Sequence, residues 1–214
     1  MTNARPAALP PAERTVGQLV AESIRFYGER FRRCLWIGVP PAALAVLTAH
    51  VSRTPGLILA PTLYGALLSA SFVYASMLVL DAHPSRRRQI VAWLVGWAIF
   101  APVPFLVLVF LLPALAWLAA LGLAVPALVV EPVGVRESFR RAWELSRGDY
   151  VHALGTLATL SIVVFLTQTV LVFLLRGAGG AAVSTALFLA NVVVSPLLFL
   201  GAAFLYLDQA ARVK

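Results

Sequence analysis

Three histidines, nine carboxylates and one cysteine are the whole stock of side chains with which this 214-residue chain could bind a metal or move a proton. His152 stands three positions after Asp149, with Glu131 upstream, and this is the one stretch where a base could be paired with an acid. A zinc or magnesium site needs several ligands converging. His50 and His83 stand at other boundaries of the apolar sequence, so no metal and no cofactor is expected. No GxSxG, HExxH, Walker or dinucleotide fingerprint occurs, and GAGG at Gly177 to Gly180 lacks the strand and helix that make a phosphate cradle. Asp149 and His152 therefore read as boundary polar residues rather than a relay. Cys34 is alone, forms no intramolecular disulfide and reads as a packing residue.

Two other groups of polar residues are distinctive. Thr167 and Gln168 in one apolar stretch and Asn191 in the next could line a polar site inside a membrane, but interhelical hydrogen bonds of about 0.6 kcal/mol each are the favoured reading. The second group is the charged island EPVGVRESFRRAWELSRGDY, Glu131 to Tyr150. At 100° per residue, Val135, Phe139, Ala142, Trp143, Leu145 and two serines fall in an arc of about 160°. Arg136, Glu137, Arg140, Arg141, Glu144 and Arg147 fill the opposite arc. Segregation of this kind predicts an amphipathic helix over 133–148 lying along a membrane surface, stopped at Gly148. Its arginines can reach phosphates from the flanks while the carboxylates face water. Glu137 and Arg141 are spaced to pair. Acids and bases cancel across the island, so it is no polybasic clamp; its polar face suits lipid contact or a docked partner.

The elements that must carry these residues follow from composition. The chain is 61% hydrophobic and 12% charged, with a mean hydropathy of +0.89. A water-soluble domain carries about 25% charged residues, so this one belongs in a bilayer, where a crossing needs about 20 apolar residues. Charge gaps give windows at Leu35–Ala49, Gly56–Leu80, Ile90–Val130, Tyr150–Leu175 and Ala181–Leu207. A straight helix over Ile90–Val130 would be about 60 Å long, twice the roughly 30 Å hydrocarbon core. It must fold back, with Leu112–Pro113 the favoured break and Pro102–Pro104 the competing one. Six transmembrane helices result, arranged as three hairpins in an all-α polytopic protein. With both termini cytoplasmic, every Lys and Arg except Arg53 and Arg176 falls on the inner side, whereas a five-span count scatters them. The net charge of +8 is thus a topology signal, and nucleic acid is not an expected partner.

TVGQLVAESIRFYGERFRR repeats the amphipathic design, with Thr15 and Gln18 spaced as a capping box. The expected organisation is a disordered tail over 1–14, an interfacial helix over 15–33, a membrane domain over 34–207 and a C-terminal tail over 208–214. The order of these parts, and above all Pro126–Gly155 with Ser138, Arg140, Arg141, Trp143, Leu145, Arg147 and Gly148, resembles the bacterial family called the membrane domain of glycerophosphoryl diester phosphodiesterase. The resemblance runs from Thr15 to about Tyr206. It implies a multi-span accessory or lipid-associated domain; in the fused proteins hydrolysis belongs to a separate soluble barrel that this chain does not contain. The expected function is a non-enzymatic membrane protein of the cytoplasmic membrane, with lipids, a cytoplasmic protein or a second copy as partners. The alternatives are a small-molecule or lipid transporter using Gln168 and Asn191, and an interfacial hydrolase using His152.

Overall fold

The computed structural model describes residues 10, 13–50, 53–175, 177 and 180–213. Most of the expected tail 1–14 and of the expected turn Arg176–Gly180 lies outside them. Every regular element among the described residues is helical, and five stretches are long and apolar enough to cross a membrane: Pro61–Val79, Arg86–Val109, Leu111–Val130, Tyr150–Leu174 and Ala182–Arg212.

Helix α1 (Val16–Glu29) opens on the expected capping box: the Gln18 amide N–H donates to Thr15 Oγ1, and Thr15 N–H donates to Gln18 Oε1 at 2.8 Å. It is shorter than expected. The backbone leaves helical geometry at Arg30 (φ −120°, ψ 31°), and Phe31 to Arg33 already belong to α2 (Phe31–His50). Helix α2 contains Pro40 and Pro41, each of which removes a backbone donor, and it is not among the five stretches above. The expected first span is therefore a 20-residue helix with a basic start and an internal Pro pair.

Helix α3 (Arg53–Val79) leads through a turn, with Asp81 at φ 47°, into α4 (Arg86–Phe100) and α5 (Val103–Val109). The chain then breaks at Phe110 (φ −171°, ψ 153°) before α6 (Leu111–Leu121) and α7 (Ala124–Val130). Pro113 lies in the first turn of α6, where its missing N–H has no intrahelical acceptor, so the break comes three residues ahead of it. Pro102 only interrupts the first limb. After the break, α6 packs on α5 and α7 on α4. Helices α8 (Val135–Gly148), α9 (Tyr150–Leu174) and α10 (Gly180–Arg212) complete the chain. Asp208 to Arg212, expected in a tail, are the last turns of α10.

The core is closed by aromatic and small residues. Phe72, Phe100 and Phe199 meet at centroid distances of 5.9 to 6.4 Å. The α3–α4 seam is a ladder in which Ser69 Oγ donates to the Trp93 carbonyl at 2.6 Å, Trp93 Nε1 to Ala66 and Trp97 Nε1 to Thr62. A Cβ on Gly96 would stand 2.2 Å from Ser69 Oγ, so glycine there permits the approach. One end of the bundle gathers the chain's basic segments. Arg30 donates to the Leu78 carbonyl at 3.3 Å, Arg212 to that of Arg14, and α8 packs on α7 and α10.

Candidate functional site

Helix α8 is the first candidate. It buries Ser138, Ala142, Leu145 and Ser146 against its neighbours, and small side chains at that spacing let it lie close to α7 and α6. Val135 and Trp143, expected on the same apolar arc, are instead 43% and 52% exposed, so one edge of the arc faces away from the bundle. Arg147 lies 6.0 Å from the Trp143 ring centroid. Arg136 and Glu144 are exposed with Arg140, which pairs with Glu137 through Nε and Nη2; that hydrogen bond, and then the charge of Glu137, holds the Arg140 guanidinium above its usual pKa. Pairs this exposed are screened by water and add little to stability.

The expected Glu137–Arg141 pair is replaced. Arg141 lies on the inner flank of α8 and turns to Glu131, the residue that ends α7, at 3.5 Å. Glu131 also accepts a 2.6 Å hydrogen bond from the Tyr206 hydroxyl of α10. Arg141 is therefore an internal strut, while Arg136, Arg140 and Arg147 are presented outward.

The polar residues proposed to share a mid-span site do meet in part. Gln168 Nε2 of α9 donates to Asn191 Oδ1 of α10 at 2.9 Å, and Asn191 Nδ2 donates to its own helix at Leu187. Thr167 is exposed and returns its hydroxyl to the Val163 carbonyl. Between the aromatic core and α6 there is also an apolar cavity of about 60 Å³ whose one polar side chain is Ser161.

A third cluster was not anticipated from sequence. Asp149 caps α9 by accepting from the His152 amide at 3.0 Å, and its other oxygen accepts from Arg212 Nη1 at 2.9 Å. Arg212 Nε donates to Asp208 Oδ2 at 2.9 Å, and His152 Nε2 stands 3.0 Å from the same oxygen. Gln209 Nε2 donates to the Asp149 carbonyl. His152 thus faces Asp208 with its ring and meets Asp149 only through its backbone, so the acid beside its imidazole is Asp208 rather than the expected Asp149 or Glu131. Asp208 has no exposed surface, and a carboxylate so placed persists only when cations compensate it. The signal available in the sequence was the i,i+4 spacing of Asp208 and Arg212 after a long apolar helix.

Comparison with protein-family models, with curated proteins and with solved structures found no match to the chain.

Proposed function

We propose that this chain is a non-enzymatic, lipid-associated scaffold of the cytoplasmic membrane, with α8 as the surface on which lipid headgroups or a cytoplasmic partner are met. The observation that carries this reading is the division of α8: one face seated on the bundle, arginines presented outward, and Trp143 exposed on the edge between them. A Trp flanked by arginines suits the headgroup region, where an apolar ring and a charged tip are both satisfied. In this reading α2 is a sixth crossing, since 20 residues suffice for one, and it packs along α3 and α10. The crossings form three hairpins, and both termini lie on the cytoplasmic side with the arginine-bearing end. The same organisation is the basis for placing the chain beside the membrane domain of glycerophosphoryl diester phosphodiesterase, as an accessory domain without the barrel.

Native mass spectrometry of the gently purified protein tests the proposal by reporting lipid, partner and stoichiometry together. Reversing the outward arginines, Arg136→Glu with Arg147→Glu, should strip bound lipid or partner while insertion persists. Unchanged recovery of both would remove α8 from the function. A second reading, a small-molecule or lipid transporter, draws on the Gln168–Asn191 bond between α9 and α10. Proteoliposome flux that is lost on Gln168→Ala and Asn191→Ala would favour it over the scaffold.

A further inference from the structure

Among the arginines at the basic end of the bundle, Arg25, Arg140, Arg141 and Arg212 each have a carboxylate within 4.0 Å. Arg86, Arg87 and Arg88 make no ion pair among the described residues, although they are adjacent and open helix α4. Two of them face a groove of about 400 Å³. Helix α4 and its N-cap contribute Ser85, Arg87, Arg88 and Val91 to it, and the α7–α8 segment contributes Leu128 and Val133 to Val135. The nearest acids in sequence lie elsewhere: Asp81 is exposed on the α3–α4 turn, and Glu131 is engaged by Tyr206 and Arg141. Neither lines the groove.

We propose that this groove binds the phosphate of an anionic phospholipid, with Arg87 and Arg88 as the phosphate ligands and Val91, Val133 and Val135 against the first carbons of its acyl chains. Guanidinium groups match phosphate oxygens with two parallel donors, and unmatched guanidinia at a concave surface call for an anion. The apolar residues select the source of that anion. A soluble phosphate ester gains nothing from Val91, Val133 and Val135, whereas a lipid buries carbon there. The position agrees: the groove opens at the basic end of the bundle, where basic pockets between membrane helices meet anionic headgroups. The proposal rests on the lipid-associated reading above and assigns it a specific site away from the outward face of α8.

The test is native mass spectrometry of the full chain released from micelles doped with phosphatidylglycerol or phosphatidylcholine, with and without millimolar glycerol phosphate. Wild type should retain phosphatidylglycerol about tenfold more than phosphatidylcholine, glycerol phosphate should not displace it, and Arg87→Gln/Arg88→Gln should erase the preference. The single Arg87→Gln change, at an exposed position, should give an intermediate loss and guards against a folding defect in the double variant. A double variant that keeps the wild-type preference overturns this site and leaves the lipid-associated reading intact. Displacement by glycerol phosphate overturns the lipid as occupant in favour of a soluble phosphate ester. A wild type that retains neither lipid overturns both this site and the reading it rests on.

Discussion

Asp208 is fully buried, and its Oδ2 has Arg212 at 2.9 Å and the His152 ring at 3.0 Å. Removing Arg212 leaves that carboxylate without its permanent cation, which in buried pairs costs about 3–5 kcal/mol. Arg212→Ala should therefore unfold at markedly lower temperature in detergent, and Asp208→Asn with Arg212→Gln should recover part of the loss; equal stability of wild type and Arg212→Ala would contradict the compensation. Tyr206→Phe removes one hydrogen bond to an ionised acceptor and should cost about 1.5–3 kcal/mol by the same melting assay. These residues escaped the sequence reading for a physical reason. Charge ends an apolar window, so Asp208 looked like the start of a tail, whereas its bond to Arg212 keeps the helix going. The Gln168–Asn191 pair was easier to anticipate, because a lone amide inside each of two apolar helices has few other partners to find.

At the scale of elements, the presence of helices α1 and α8 and a break inside Ile90–Val130 were legible from periodicity and length alone. Their limits were less so. Proline marks where a helix cannot continue, yet it is tolerated in a first turn, so Pro113 starts α6 and Phe110 carries the break. Close approach of helices was legible only as small residues, not as partners. A Cβ on Gly38 would stand 2.1 Å from the Val192 carbonyl oxygen, a backbone atom that cannot swing aside. Gly38→Ala should force α2 from α10 and lower stability by about 1–3 kcal/mol, read as faster hydrogen exchange in α2. Helix α1 should loosen in alkali. Burial, with the Cys34 thiol beside it, pushes the Tyr27 phenol up from 10.0 to about 12. The neutral phenol is the form favoured in the folded state, so this contribution is complete below pH 10 and is lost as pH rises toward 12. Tyr27→Phe should flatten that loss in an alkaline exchange profile of α1; an unchanged profile would show that Tyr27 does not report on its docking.

Across the whole molecule, the basic segments were expected on one side from the asymmetry of Lys and Arg. The contacts that gather α1, the end of α3, α8 and the end of α10 put several of them at one end. What the sequence could not supply was which arginines are spent inside. Arg141 and Arg212 hold carboxylates of other elements, while Arg87, Arg88, Arg136 and Arg147 make no ion pair among the described residues. The proposed scaffold requires that end to be cytoplasmic and the chain to cross six times. Impermeant maleimide labelling of single cysteines in intact and permeabilised cells, on a Cys34→Ala background, tests both at once. Gly28→Cys, which precedes α2, with His83→Cys and Arg140→Cys should react only after permeabilisation, and Phe110→Cys, at the break between α5 and α6, should react in intact cells. Labelling of Gly28→Cys from outside would remove the crossing of α2, and labelling of His83→Cys from outside would contradict the cytoplasmic placement of the arginine-bearing end.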